Sequence, residues 1–374
     1  MFEWPKWNVF FKKLFNPPEN LDLKKAEQVL HDHLPTIWLL GKTGSGKSSL
    51  IKSITNQSSV EIGNGFQPCT MTSQIYEFPA EKPLFRFLDT RGISEADYDP
   101  HEDIEQASQS SFALIVVIKL DDVEQSDVLQ ALKSIKNAKK IQNILVVYTS
   151  FLALSDSERA SVVRLNNKKI ADIWKRDVSY VEVDFESGSD SDAEYFYGQE
   201  TLQQKLALFL PSIAILMESH LHSTQESRNF DQLRTEVLWF SSAASASDLI
   251  PVAGLVSVPA IQGKMLHNIA NQYGVEWNKR LIMDMFGALG TTFTVNYSLS
   301  LGSRQLAKLI PVYGQTAGAA LSAVISFAST YAIGRTAAYY FYKKQQNQPF
   351  SKEELKDIYS AAFKQAKATK NEKS

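Results

Sequence analysis

The sequence predicts an α/β doubly wound domain of the P-loop type followed by an all-α C-terminal domain. Three observations carry this. Short apolar runs alternate with polar, helix-length stretches from residue 36 to about residue 212. The eight residues Gly41-Lys42-Thr43-Gly44-Ser45-Gly46-Lys47-Ser48 sit between one such run and a helical pattern. From residue 225 to residue 345 the strand signals give way to long stretches of Ala, Ser, Gly and Leu with few charges.

The apolar runs are Thr36–Leu40, Phe85–Leu88, Phe112–Ile118, Ile144–Tyr148 and Tyr180–Val183. Several are β-branched and apolar on consecutive positions, the pattern of strands covered on both faces. Segments of strand and helix in alternation build a mainly parallel sheet. The expected organisation is an N-terminal aromatic, basic segment with a helix (1–33), the nucleotide-binding domain (34–215), a helical hairpin domain (225–345) and a charged helical tail (346–374). The first helix should start after Asn20, a good N-cap, and stop at Pro35. The tail should open on the capping box Ser351-Lys352-Glu353-Glu354.

Charge is close to balance, 39 Lys+Arg against 41 Asp+Glu, which argues against a protein that coats nucleic acid. A single cysteine, Cys69, rules out an intrachain disulfide and suits a reducing, cytoplasmic location. The first fifteen residues mix Phe and Trp with Lys and have no continuous apolar core, so they do not resemble a secretory signal. Aromatic rings beside ammonium groups are the composition of an interfacial segment, or of a segment that docks on the protein's own helices.

The motif G-x-x-x-x-G-K-[ST] needs a strand before it and a helix after it, and has both in Thr36–Leu40 and Ser49–Ile54. Its glycines let successive N–H groups point inward at phosphate oxygens, and the helix dipole adds to the attraction. Gly41, Thr43, Gly44, Ser45, Gly46 and Ser49 are therefore expected to line the nucleotide. Lys47 should reach the β- and γ-phosphates and Ser48 should ligate Mg²⁺. Downstream, Phe85–Leu88 ends in Asp89-Thr90-Arg91-Gly92, a D-x-x-G motif. Asp89 is expected to hold Mg²⁺ and the Gly92 amide to sense the γ-phosphate. Between the two motifs lies the loop Gly63–Thr72. A switch loop needs a hydroxyl that closes on Mg²⁺ when the γ-phosphate is present; Thr70 is the first choice and Thr72 the reserve.

Together, Gly41–Ser48, Pro68-Cys69-Thr70 and Asp89-Thr90-Arg91-Gly92 resemble the translation-factor-related GTPases of the Era and immunity-related type. The resemblance implies GTP/GDP and Mg²⁺ as ligands. In such proteins a hydrophobic residue often follows D-x-x-G, as Ile93 does here, in place of a water-orienting Gln. That implies slow hydrolysis, with help from dimerisation, a partner or Arg91.

One motif departs from this pattern. A guanine-specific site carries [NT]-K-x-D after the fourth of these runs, where this chain reads Thr149-Ser150-Phe151-Leu152. Thr149 remains a nucleotide-side candidate, but Lys and Asp are missing, and Val183-Asp184-Phe185 replaces the later S-A-x signal. Asp184 and Asp156 stand as candidate substitutes, and guanine selectivity is left open.

In the C-terminal half, three stretches are almost free of charge: 237–263, 285–303 and 309–334. Each is long enough to cross a bilayer, although their hydropathy is modest. Leu249–Gly254 is echoed by Leu309–Gly314, which two helical hairpins with Pro-Gly corners would explain. Gly314, Gly318, Ser322, Ser326, Thr330 and Gly334 form a thin stripe of small residues, used by membrane spans and by tightly packed soluble hairpins alike. The run Asp248–Gly254, with Gln262, Met265, Ile269-Ala270 and Tyr273-Gly274, resembles domain of unknown function family 697. That bacterial domain is often fused behind a GTPase domain, and some of its members are membrane proteins.

Two functions of different class are consistent with the sequence. One is a slow GTP-binding switch acting at the cytoplasmic membrane, either peripheral or integral, on lipid, a second copy or a protein partner. The other is a soluble scaffold with a structural, poorly hydrolysed nucleotide.

Overall fold

The computed structural model describes residues 21–55, 74–90, 111–137, 141, 143–185, 196–209, 211–216, 224–247, 254–290 and 314–368. It divides into two compact units, Leu34–Phe209 on one hand and Met1–His33 with Leu210–Ser374 on the other.

The first unit is a six-stranded sheet in the order β2-β3-β1-β4-β5-β6. Its strands are β1 (Thr36–Leu40), β2 (Gln74–Phe78), β3 (Phe85–Asp89), β4 (Ala113–Lys119), β5 (Asn143–Thr149) and β6 (Ser179–Glu182). All neighbours are parallel except β2 and β3, which pair antiparallel. The consecutive apolar residues of β1 and β4 are explained by position: both are central, and β1 is buried at all five residues. Two helices, α3 (Ser126–Asn137) and α4 (Asp156–Trp174), cover one face. There Trp38, Leu40, Val116, Val146 and Tyr148 meet Val128 and Leu132 of α3 and Val163, Ile170 and Trp174 of α4 in a single apolar core.

Five of the strands lie where the apolar runs predict them. The exception is β2, which none of the apolar runs marks. It is an edge strand with Ile75 exposed and the other four residues half-buried, so it needs no continuous apolar run.

The first unit ends in a short helix, α5 (Gln199–Ala207); the second unit is helical and includes the short α6 (Pro211–Leu216). Its first helix, α1 (Leu21–Asp32), begins directly after Asn20. It packs on α7 (Gln225–Ser247) and α8 (Gly254–Gln272), far along the chain. Residues 279–290 form α9. The long α10 (Gly314–Gln345) packs on α7, on α8 and on the tail helix α11 (Lys352–Ala368). The predicted capping box is formed: Ser351 Oγ accepts from the Glu354 amide at 3.0 Å, and Glu354 Oε2 accepts from the Ser351 amide at 2.8 Å.

From Ser322 to Gly334, the stripe of small residues lies where α10 meets its neighbours. A Cβ on Gly334 would lie 2.6 Å from Val237 Cγ1 and 3.0 Å from Met265 Sδ, so α7 and α8 approach the bare backbone. One turn earlier, Gln262 Nε2 donates to Thr330 Oγ1 at 2.9 Å, and Ser322 and Ser326 are buried. Arg335 forms a two-pronged ion pair with Glu226, at 2.6 and 2.9 Å.

Among the described residues, no helix is long and apolar enough to cross a membrane. The spanning reading of the low-charge stretches is therefore not supported by α7, α8 or α10. Most of 285–303, and the two echoed Pro-Gly corners before Gly254 and Gly314, lie outside the described residues.

Candidate functional site

Strand order places the site. The chain turns to one side of β1 to form β3 and to the other to form β4, so a crevice opens at the carboxyl end of β1. The Gly41–Ser48 loop leaves β1 at that point and enters α2 (Lys47–Thr55). Gly44 and Gly46 have φ of 74° and 95°, a region that side chains with a Cβ rarely adopt. Gly41 is required for a different reason: a Cβ there would lie 2.5 Å from the Val117 carbonyl oxygen of β4.

Lys47 is buried at the first position of α2, and its ammonium donates to the Gly41 and Lys42 carbonyls, each at 3.1 Å. The charge is thus held inside the curl of the loop. Lys42 turns the other way. It pairs with Asp122 at 2.8 Å and donates to the Glu124 carbonyl at 2.9 Å, which anchors the segment after β4. Thr43, Gly44 and Ser49 are partly or fully exposed along the loop and first turn, and Ser45 is buried.

Asp89 ends β3 fully buried, in register with Leu39. Ser48 Oγ donates to its Oδ2 at 2.8 Å, and Oδ1 has no hydrogen-bond partner among the described residues. Burial holds this carboxyl above the usual carboxylate range, opposed by the Lys47 charge and the Ser48 hydrogen bond. A buried carboxylate oxygen without a partner, next to a hydroxyl, suits a hard divalent cation that takes oxygen ligands. Ser48 and Asp89 thus fit Mg²⁺.

Thr90 was not anticipated. Its hydroxyl accepts from Trp38 Nε1 and donates to the Leu39 carbonyl, both at 3.2 Å, so the exit from β3 is fastened to β1. Thr70, Thr72, Arg91, Gly92 and Ile93 lie outside the described residues.

Thr149 has a definite task. Its hydroxyl donates to the Ser45 carbonyl at 2.8 Å, which clamps the phosphate loop to the end of β5. After it, Ser150 adopts φ 56° and Phe151–Ala153 form one 3₁₀ turn. The Phe151 ring stacks on Tyr197 at 4.1 Å, and the Arg159 guanidinium lies 3.7 Å from the same ring centre. Two flat groups this close to one ring centre must take opposite faces.

The two acids considered as substitute base readers are both engaged here. Asp184 Oδ2 accepts from the Leu152 amide at 2.8 Å, and exposed Asp156 pairs with Arg159 at 2.7 Å.

Residues 36–150 match the family described as 50S ribosome-binding GTPase. With the loop geometry above, the N-terminal half is an α/β P-loop GTPase domain. No protein of curated function matches the chain. Among solved structures, a dimerization-deficient variant of Toc33 from Arabidopsis thaliana is 21% identical, covers 52% of this chain and 89% of its own, and has a TM-score of 0.32. A structure of the chloroplast translocon components atToc33 and psToc159 is 20% identical over 53% of this chain and 89% of its own, at a TM-score of 0.38. The bacterial selenocysteine-specific elongation factor EF-Sec is 14% identical over 47% of this chain, with a TM-score of 0.37; the match spans 28% of that protein.

Proposed function

We propose that the chain is a GTP-binding switch that hydrolyses GTP slowly and passes its nucleotide state to the helical unit, which acts on a membrane surface or a protein partner. The supporting observation is the contact between Ser48 Oγ and Asp89 Oδ2. It joins the phosphate loop to the end of β3, and β3 leads directly into Arg91-Gly92. A change at the γ-phosphate is then felt where the chain leaves the sheet.

In this reading Lys47 holds the β- and γ-phosphates, Ser48, Asp89 and Thr70 hold Mg²⁺, and the Gly92 amide meets the γ-phosphate. Bound Mg²⁺ would neutralise charge on the phosphate oxygens. Arg91 assists, and Ile93 stands in place of a water-orienting Gln, which accounts for slow turnover. The reading includes an Era-type or immunity-related subtype, a bacterial helical domain of family 697 and a cytoplasmic, peripheral location. It also admits a homodimer as the partner. Residues 1–15, rich in aromatics and Lys, are the segment with the composition for lipid contact.

The test is hydrolysis by the full chain together with sedimentation on vesicles of mixed neutral and anionic lipid. The expected result is slow Mg²⁺-dependent turnover, lost in Lys47→Ala, with vesicle association that differs between the GDP form and a non-hydrolysable GTP form. Equal association of the apo, GDP and GTP-analogue forms would remove the membrane part of the proposal.

A further inference from the structure

We propose that the Phe185 ring is the base platform of this nucleotide site, holding a purine by its face without reading its edge. Adenine and guanine nucleotides then bind alike. The inference rests on the phosphate site proposed above and deepens it.

The first support is position. A Cβ built on Gly46 would lie 3.2 Å from Thr149 Cγ2 and 3.5 Å from Phe185 Cε2. The Phe185 ring therefore leans over Gly46, the third glycine of the phosphate loop, beside the Thr149 clamp. It is half-buried, and Phe196, also half-buried, supports it in a tilted contact at 5.1 Å. Phe151, also at this end of the sheet, has its faces occupied by Arg159 and Tyr197.

The second support is what stands where an edge reader belongs. Thr149 stands first in the segment that replaces [NT]-K-x-D, and its clamp on the phosphate loop fixes the position of the residues after it. The position for the carboxylate is then Leu152, whose side chain has no hydrogen-bonding atom and is 66% exposed. Its amide is tied to Asp184, and Asp156 pairs with Arg159. Among the described residues nothing at this position can accept the paired N–H donors of guanine. Stacking remains available, and it tolerates any base because every base has a π-face. Discrimination between two purines without an edge reader should be slight.

The test is displacement of a ribose-labelled fluorescent ATP from the full chain, with Mg²⁺, by unlabelled GTP, ATP and inorganic tripolyphosphate. GTP and ATP should compete within about threefold of each other. Phe185→Ala should weaken both nucleotides by about tenfold, equivalent to about 1.4 kcal/mol, and leave tripolyphosphate unchanged. Phe185→Leu, which keeps apolar bulk but has no π-face, should behave in the same way, and Phe185→Tyr should retain affinity. Leu152→Asp should shift preference toward GTP.

A preference for GTP of about a hundredfold in the wild-type chain would overturn the inference. So would nucleotide affinity unchanged in both Phe185→Ala and Phe185→Leu. In those cases tripolyphosphate still binds, so the phosphate site stands and the platform alone falls. If neither nucleotide nor tripolyphosphate binds, both proposals fall.

Discussion

The hydroxyl of Thr149 donates to the carbonyl of Ser45 at 2.8 Å, joining the end of β5 to the phosphate loop across 104 positions of sequence. Both residues are buried, so water cannot replace the bond if it is lost.

Thr149→Val keeps the shape of the side chain and removes the donor. The Ser45 carbonyl is then left unsatisfied, at a cost of about 1–3 kcal/mol. Denaturant unfolding should show that loss, and nucleotide titration should show weaker binding. Thr149→Ser should restore both.

Asp89 is buried and its Oδ1 has no hydrogen-bond partner among the described residues, an arrangement that costs stability unless a cation completes it. Asp89→Asn removes the buried charge. The nucleotide-free protein should be as stable as the wild type or more so, whereas the Mg²⁺ dependence of triphosphate binding should fall by at least about tenfold. A Mg²⁺ titration at fixed nucleotide, alongside a melting curve, separates the two effects. Unchanged Mg²⁺ dependence would remove Asp89 from the metal site.

At Gly334 the backbone of α10 lies directly against side chains of α7 and α8. Gly334→Ala should destabilise the helical unit by about 1–3 kcal/mol through overpacking, since Val237 and Met265 already fill the space. Val237→Ala in the same chain should recover part of the loss, measured as a double-mutant cycle.

The helical unit should also be sensitive to alkali. Tyr340 is buried among helices, and burial, aided by the Asp284 charge, pushes its hydroxyl up to about 12. Tyr273 is raised further by burial and by Glu226. The folded state therefore keeps a proton that the unfolded chain releases near pH 10. Stability present below pH 10 should be lost as pH rises toward 12. Tyr340→Phe should move the alkaline unfolding midpoint upward, followed by far-UV circular dichroism.

How much of this was legible depends on the range of the interactions. The phosphate loop, Ser48 and Asp89 could be read because each lies at a fixed offset from an apolar strand, and the strands mark themselves by consecutive buried residues. The cap at Ser351 was legible for the same local reason. β2 was not, because an edge strand such as Gln74–Phe78, half-buried with Ile75 exposed, carries no run of apolar residues. The clamp of Thr149 on Ser45, the fastening of Thr90 to β1 and the pair between Glu226 and Arg335 join residues 51 to 109 positions apart. No local pattern encodes such contacts. The small-residue stripe of α10 was visible, but its use was not: close packing of soluble helices and of membrane spans demands the same residues.

Equilibrium titration of GTP with Mg²⁺ onto the full chain, wild type against Lys47→Ala, tests the central claim most directly. The buried ammonium inside the Gly41–Ser48 loop predicts saturable, Mg²⁺-dependent binding that weakens by at least about a hundredfold in the variant. Equal binding by the two proteins, or none by the wild type, would contradict the assignment of this loop as the phosphate site.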